Sequence, residues 1–393
     1  MLPIYDKFLS TPDIIDYKST FGHIKFFNES HNLNARFVDH TNDPCLIFFY
    51  AGNQREEHVD DVLVQQVLDL VLANDKNILV LDSIIEDFVN PPFCDFLEKI
   101  MEKISADRIK IITSFNPANR FADTFFKDRK HLIDCNFEIF SYDGFSSSFV
   151  AHQIRAERTP PAINERKVEK HFSLMQKNAR FLRKLVHAYF IYKKYNEKSL
   201  YAWHSKGIDR DWTDDDKFAL IYLNIPIQFD EYITPINYDN EWREDEWKLH
   251  DDVFKTALNI VVETTAWRDD PDSFFGDTKQ HEHNYFLSEK TYKNFWYGLP
   301  YLHLGIPHMD DRLHDLGYKT FADLFDVQKR RVKVNAEGLK RDFHLIDHIA
   351  NMSLDDLMDI LNSPKALGYY NHNRKMLQRL LPLKNILNDL DKY

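Results

Sequence analysis

The chain is short of the residues on which several common protein classes depend. Its 393 residues include three cysteines, Cys45, Cys94 and Cys135. They are widely spaced, follow no zinc-ligand pattern and cannot all pair, so a disulfide framework is excluded and a reducing, cytoplasmic setting is expected. Glycine is scarce, at 10 residues. No Gly-rich phosphate loop, no Gly-x-Ser-x-Gly elbow and no convincing Asp-x-Asp metal site can be read. Long apolar runs are missing, which excludes a membrane-spanning helix. The opening MLPIYDKFLSTPD lacks a basic segment followed by an apolar one, so no secretory leader is expected.

What the chain does have is material for a core: 44% hydrophobic residues, with 31 Phe and 19 Tyr, against 28% charged. The length suits two domains of ordinary size. The net charge of −12 is uneven. Between Asp209 and Asp252 there are fourteen acids against four Lys/Arg, whereas Asn164–Lys198 has ten Lys/Arg against three acids. The acidity is therefore largely local, and an anionic ligand is compatible with the basic region. Two solvated faces of opposite sign would give the same pattern.

The first forty residues carry no clear period. From Cys45 onward, continuous apolar runs alternate with segments of helical spacing. CLIFFYA, NILVLD, RIKIITS and FEIFSY read as buried strands. HVDDVLVQQVLDLVL, FCDFLEKIMEKI and ANRFADTFFKD read as helices between them. Such alternation predicts a parallel sheet covered on both faces. Arg155–Asn164, with Pro160-Pro161, is the best linker. A second alternation follows: strand HFSLMQ, helix NARFLRKLVHAYFIYKKY, strand LYAWHS, strand ALNIVVETT. The acidic stretch with Trp212, Pro226 and Pro235 reads as loop. Ser288 fits a helix N-cap, Gly298 the residue that ends that helix, and LPYLHLG the next strand. A short helix closed by Gly317 comes next, and the chain is helical after Val332. The expected architecture is α/β with two Rossmann-like domains, 1–160 and 161–393, facing a cleft, the second carrying a helical C-terminal tail. In such folds ligands bind outside the carboxyl ends of the strands.

The stretch NYFLSEKTYKNFWYGLPYLHLG, Asn284–Gly305, places Glu289 and Lys290 where a helix begins. A helix N-terminus presents unpaired N–H groups and partial positive charge, so it attracts phosphate. Lys290 adds a point charge for the same anion, and Glu289 can accept hydrogen bonds from ribose hydroxyls. The competing reading is that Glu289 merely suits the helix dipole and Lys290 is solvated. Phe295, Trp296 and Tyr297 read as core or cleft wall. His281 and His283, near Asp277, are the one close histidine pair, and their spacing is poor for a metal.

This stretch resembles the donor-binding motif of α1,3-fucosyltransferases, which runs Asp-Tyr-Ile-Thr-Glu-Lys, helix, Gly, a Val-Pro-Val-Val strand and Gly. A wider region, roughly residues 170 to 326, is similar to a group of glycosyltransferases of bacteriophages and large viruses. The matching segments are Glu263-Thr264, Glu289-Lys290-Thr291, Pro300-Tyr301 and Leu313–Phe321 (LHDLGYKTF). The viral group also begins a helix with a basic Arg-x-x-Arg pattern, here Arg180-Phe181-Leu182-Arg183, with Leu182 where a histidine usually lies; a His-Asn pair near its end corresponds to His372-Asn373. The resemblance implies a GT-B fold and transfer of a sugar from a UDP- or GDP-sugar to an acceptor hydroxyl. Donor contacts would come from Arg180, Arg183, Ser288, Glu289, Lys290 and Thr291. No cofactor is implied beyond the nucleotide sugar, and donor binding is expected to be independent of metal.

Glu263, near the end of a strand, can bind sugar hydroxyls or stabilise an oxocarbenium-like centre; equally it can pair with Arg268. For a base that deprotonates the acceptor, Asp82 and Glu86 lie at or just past the carboxyl end of NILVLD. An N-capping Asp and a solvated Glu would look the same. The viral resemblance raises a hydroxymethylated base in phage DNA as acceptor, modified in the host cytoplasm. That acceptor requires a basic face, for which Lys103, Arg108, Lys110, Arg120, Lys127, Arg129 and Lys130 are available. The alternatives are a fucosyltransferase-like enzyme acting on glycans, and a non-catalytic protein that keeps the shape and binds a nucleotide sugar or a partner.

Overall fold

The protein is seen in a computed structural model, in which the residues described are 3–5, 20–31, 36–50, 61–83, 91–113, 126, 129–135, 137–142, 144–158, 167–176, 181–203, 212–226, 251–262, 287–304, 309–325, 335–379 and 381–390. It divides into two compact units, Met1–Arg158 with Leu380–Tyr393, and Thr159–Arg379.

The first unit is built on a six-stranded sheet. Its strands are β1 (Ile4–Tyr5), β2 (Phe37–Val38), β3 (Leu46–Tyr50), β4 (Ile78–Ser83), β5 (Ile109–Thr113) and β6 (Glu138–Ser141), in the order β2-β1-β3-β4-β5-β6, every pairing parallel. The runs LIFFY and ILVLDS supply the middle of it, and Leu46–Phe49 and Leu79–Leu81 are buried because helices cover the sheet. Helices α1 (Thr20–His31), α2 (Asp61–Leu72), α3 (Pro91–Met101), α4 (Lys130–Ile133) and α5 (Gly144–Arg155) belong to this unit. Phe49 of β3 stacks on Phe96 of α3 with ring centroids 4.6 Å apart. β1, α1 and β2 lie in the stretch that shows no period in the sequence. Two-residue strands are too short to display one, and α1 (TFGHIKFFNESH) mixes apolar and polar residues weakly.

The second unit has a four-stranded parallel sheet, β7 (Lys170–Gln176), β8 (Ser199–Trp203), β9 (Thr256–Val261) and β10 (Tyr301–His303), in the order β10-β9-β7-β8. The chain first moves from β7 to β8, then returns to the other side of β7 for β9, so the strand order reverses between β7 and β9. Helix α6 (Phe181–Tyr192) connects β7 to β8. The acidic stretch expected to be loop contains α7 (Asp214–Tyr222). Its start is fixed by a capping box: Thr213 Oγ1 accepts the Asp216 N–H at 3.2 Å, and Asp216 Oδ2 accepts the Thr213 N–H at 2.9 Å. Three acids in the first turn suit the helix dipole. Helix α8 (Glu289–Tyr297) connects β9 to β10, and α9 (Met309–Asp315) follows.

The tail is helical: α10 (Asn335–Ala350), α11 (Leu354–Leu361), α12 (Pro364–Gln378) and α13 (Leu381–Leu390). The sequence reading kept all of it with the second domain. The structure instead packs α13 on α1, α5 and β6, so the last helix belongs to the first unit. The helix expected over ANRFADTFFKD lies, apart from Phe126, outside the described residues.

Candidate functional site

In the second unit, α8 begins as expected. Ser288 has extended backbone and its Oγ accepts the Lys290 N–H at 3.3 Å, while Gly298 (φ 65) closes the helix in the left-handed region. The ammonium of Lys290 donates to the same Oγ at 3.0 Å, and its side chain is half-buried. Helix α8 is thus a turn that offers N–H groups and a cation together. Glu289 opens the helix; its side chain lies outside the described residues.

The first turn is held from behind. Thr291, fully buried, shares a 2.8 Å hydrogen bond through Oγ1 with His303 Nε2 at the end of β10, and Asp310 Oδ1 of α9 stands 3.8 Å from His303 Nδ1. A turn further on, Asn294 Nδ2 donates to the Lys290 carbonyl at 2.8 Å. Asn294 Oδ1 accepts from Asn259 Nδ2 at 2.8 Å, and Asn259 Oδ1 accepts from Ser173 Oγ at 2.9 Å. This chain of side chains runs from β7 through β9 to the backbone of Lys290. The sequence reading placed Thr291 among donor contacts and passed over Asn259, Asn294, Ser173 and His303. A histidine ending an apolar strand was the one available signal.

The Leu313–Phe321 segment and His372-Asn373 meet in space. The Asn373 amide pairs with the Lys319 backbone twice, accepting its N–H and donating to its carbonyl at 2.8 Å each. His372 Nε2 lies 2.6 Å from the Gly317 carbonyl oxygen, and Arg374 Nε donates to the Trp296 carbonyl at 3.0 Å, at the last turn of α8. Gly317 sits at φ +87, a conformation that strains any L side chain, so glycine is favoured there; a Cβ would also stand 2.9 Å from Met376 Cε, the movable end of a flexible side chain. Phe295, Trp296 and Tyr297 are buried, with Phe295 stacked on Tyr318 at 4.3 Å.

Helix α6 carries Arg183 and Lys184 on its buried side, so Arg183 does not decorate a solvated face. Lys184 pairs with Asp216, and its ammonium lies 5.5 Å from the Trp212 ring centroid. Farther along, Asp347 of α10 receives the hydroxyls of Tyr189 and Tyr195 and the ammonium of Lys193. Burial pushes this carboxyl up, but the three donors together outweigh it and hold it below the ordinary aspartate value.

At the carboxyl end of β7, Gln176 is 3% exposed, and among the described residues neither its Oε1 nor its Nε2 has a hydrogen-bond partner. Leaving a buried donor or acceptor unmet costs about 1–3 kcal/mol. The sequence gives no hint of this, since a glutamine ending a strand ordinarily points to water.

In the first unit, Asp82 is fully buried near the carboxyl end of β4, level with Tyr50 and Ile112 on its neighbours. Glu86, Glu263 and Arg180 lie outside the described residues, as do Arg120, Lys127, Asp277, His281 and His283. Of the basic residues named for a DNA face, three are engaged internally. Arg108 donates to the carbonyls of Asn77, Val71 and Asn74 at 2.9, 2.7 and 2.8 Å. Lys110, buried, pairs with Glu138 at 2.5 Å. Arg129 bridges Asp95 and Glu98 at 2.5 Å each. Lys103 and Lys130 are exposed.

Burial pushes the Cys45 and Cys94 thiols up to about 11, so neither is a ready nucleophile. Among the described residues, no group of three or more His, Cys, Asp or Glu side chains is placed to hold a metal ion, and no helix is long and apolar enough to cross a membrane.

No family model matches the chain, and no curated protein matches it. A solved structure similar to it is that of the DNA-modifying enzyme β-glucosyltransferase, determined in the presence and absence of its substrate uridine diphosphoglucose. The match covers 100% of this chain and 99% of that chain, at 8% sequence identity and a TM-score of 0.43.

Proposed function

We propose that the protein is a nucleotide-sugar-dependent glycosyltransferase of GT-B type, with the donor held by the second unit. The observation that carries this reading is the first turn of α8. It combines capped N–H groups and the half-buried Lys290 ammonium, and it is anchored from behind by Thr291–His303 and by the Asn294–Asn259–Ser173 chain. A cation and a helix N-terminus fixed in this way suit a diphosphate and need not reorganise as its charge grows.

In the proposed reaction the bond between the sugar's anomeric carbon and the diphosphate oxygen breaks, and its electron pair leaves with the nucleoside diphosphate. The acceptor hydroxyl oxygen forms the new bond, and its proton passes to a carboxylate. Lys290 and Arg183, with Arg180, neutralise the leaving group, which is the role a metal would otherwise take. Glu289 takes the ribose, and Glu263 the sugar. Asp82, buried near the carboxyl end of β4, and Glu86 are the proposed bases. Ser288 and Thr291 act by holding the turn.

The proposed acceptor is a hydroxymethylated base in DNA, on the viral resemblance. With Arg108, Lys110 and Arg129 engaged internally, its phosphates fall to Lys103 and Lys130 among the described residues.

The test is a melting curve with a panel of UDP- and GDP-sugars in EDTA. A bound donor at a hundred times its Kd adds about 2.7 kcal/mol, and free nucleoside diphosphate should then accumulate when acceptor is supplied. A protein that no nucleotide sugar stabilises is not this enzyme. One that is stabilised without turnover on any acceptor is a binding protein. Turnover lost in EDTA and restored by Mg²⁺ removes the metal-independent form of the reading.

A further inference from the structure

Gln176 is placed where the fold brings several ligand-binding features together. It ends β7, one of the two strands between which the strand order reverses, and ligands of open parallel sheets bind outside the carboxyl ends at such a point. Its face of the sheet is known. Phe172, four residues earlier and therefore on the same side, meets Phe190 of α6 at 6.0 Å between ring centroids. From Phe172 to Gln176 the strand advances about 13 Å, and from Phe190 back to Phe181 the helix returns about 13 Å. The Gln176 amide is therefore level with the first turn of α6, whose N–H groups and buried Arg183 supply positive charge. Helix α8, the other crossover helix, opens at the same edge of the sheet, since Thr291 in its first turn reaches His303 at the end of β10. Among the described residues both polar ends of this buried amide are unmet. A carboxamide offers a donor and an acceptor side by side, and only a group with the complementary pair satisfies both at once.

We propose that Gln176 is a specificity-determining residue, its amide closing a two-point hydrogen bond with a donor–acceptor pair on the nucleotide sugar. That chemistry has two sources on one molecule, the N–H/C=O edge of the base (imide in uracil, lactam in guanine) and a pair of neighbouring sugar hydroxyls. The inference rests on the proposed donor site and adds to it the residue that selects the donor.

The experiment is titration calorimetry of the full chain with UDP, GDP, UDP-glucose and GDP-fucose, alongside melting curves without ligand, for wild type, Gln176→Met, Gln176→Asn and Lys290→Ala. Methionine keeps the length of the side chain and removes the unmet polar groups. The expected result is a tenfold or greater loss of affinity in Gln176→Met with a ligand-free melting midpoint equal to or above that of wild type. A residue that merely held the fold would lower the midpoint instead. Loss already seen with UDP or GDP assigns the contact to the base; loss confined to the sugar-bearing probes assigns it to the sugar. Gln176→Asn, which keeps the amide but withdraws it, should also lose affinity. Unchanged affinity in both Gln176 variants, or a lowered midpoint in both, overturns the inference. If Lys290→Ala is weakened while the Gln176 variants bind normally, the donor site stands and only the Gln176 contact falls. If wild type binds none of the four probes, both fall together.

Discussion

Two buried amides, one in each unit, show two different uses of a polar group. Asn77, at the entry to β4, accepts the Cys45 N–H at 3.0 Å and donates to the carbonyls of Thr41 and Leu70 at 2.9 and 3.0 Å. Every hydrogen-bonding group of that side chain is met by backbone, so its work is to close the framework. Gln176, as deeply buried, meets nothing among the described residues. Arg108, Lys110 and Arg129 of the first unit end on carbonyls or carboxylates. In the second unit Lys290 stands half-buried on a capped first turn, its ammonium donating to the Ser288 hydroxyl at 3.0 Å. A protein tolerates an unmet buried amide where another molecule completes it, and Gln176 meets that condition.

Not all of the second unit is open, and the largest expected effect sharpens that distinction. Asp347 joins α6 to the tail through Tyr189, Tyr195 and Lys193. Asp347→Ala strands three donors, and hydrogen bonds to a charged group are worth about 1.5–3 kcal/mol each. With a carboxylate partly open to water, a total loss of about 2–4 kcal/mol is expected in urea melts. The sign of its pH dependence follows from the lowered carboxyl. A depressed folded value means the contribution is complete above the unfolded aspartate value, about 3.9, and is lost as pH falls through the folded one. The gap between wild type and Asp347→Ala should therefore be full at neutral pH and narrow in acid. A gap that widens in acid contradicts the assignment.

Lys290→Ala comes next, and it should do the reverse. Affinity for the donor nucleotide should fall about tenfold, equivalent to about 1.4 kcal/mol. Stability should stay within about 0.5 kcal/mol, as for a surface change. Calorimetry and a melting curve on the same preparation check both halves. A variant that loses stability but not affinity would make Lys290 a framework residue like Arg108, and the contrast between the units would disappear.

The sheets were legible because parallel strands buried on both faces read as nearly continuous apolar runs, as LIFFY and the ILVL of ILVLDS do. So was α8, since Ser288 and Gly298 have the chemistry that starts and stops a helix. Helix α7 was not: DDDKFALIY looks like solvated loop, and only the burial of Asp216 against Lys184 shows otherwise. The clamp of His372 and Asn373 joins residues 54 and 55 positions apart and leaves no local pattern. Gln176 was illegible for a different reason. Its oddity is the absence of a partner, and absence becomes visible only when burial is known.

The smallest expected effect concerns the first unit. If its acceptor is duplex DNA, counterion release requires the logarithm of affinity to fall with the logarithm of salt by about 0.9 per phosphate contact. The sequence offers seven basic residues for that face. Arg108, Lys110 and Arg129 now have internal partners, and a cation already neutralised releases no counterion from DNA. Lys103 and Lys130 are the exposed cations of that set among the described residues. Lys103→Gln and Lys130→Gln should each flatten the slope by about 0.9, a three- to fourfold change in relative affinity between 50 and 200 mM salt, roughly. Arg129→Gln should leave the slope where it was, and should instead release Asp95 and Glu98 from their bridge. Binding of duplex DNA carrying hydroxymethylated cytosine, followed over that salt range, measures all three. A slope that responds to Arg129 but not to either lysine would mean the bridge opens on DNA. Slopes untouched by any of the three, with transfer to a neutral oligosaccharide, would remove DNA as the acceptor and leave the donor site of the second unit as it is.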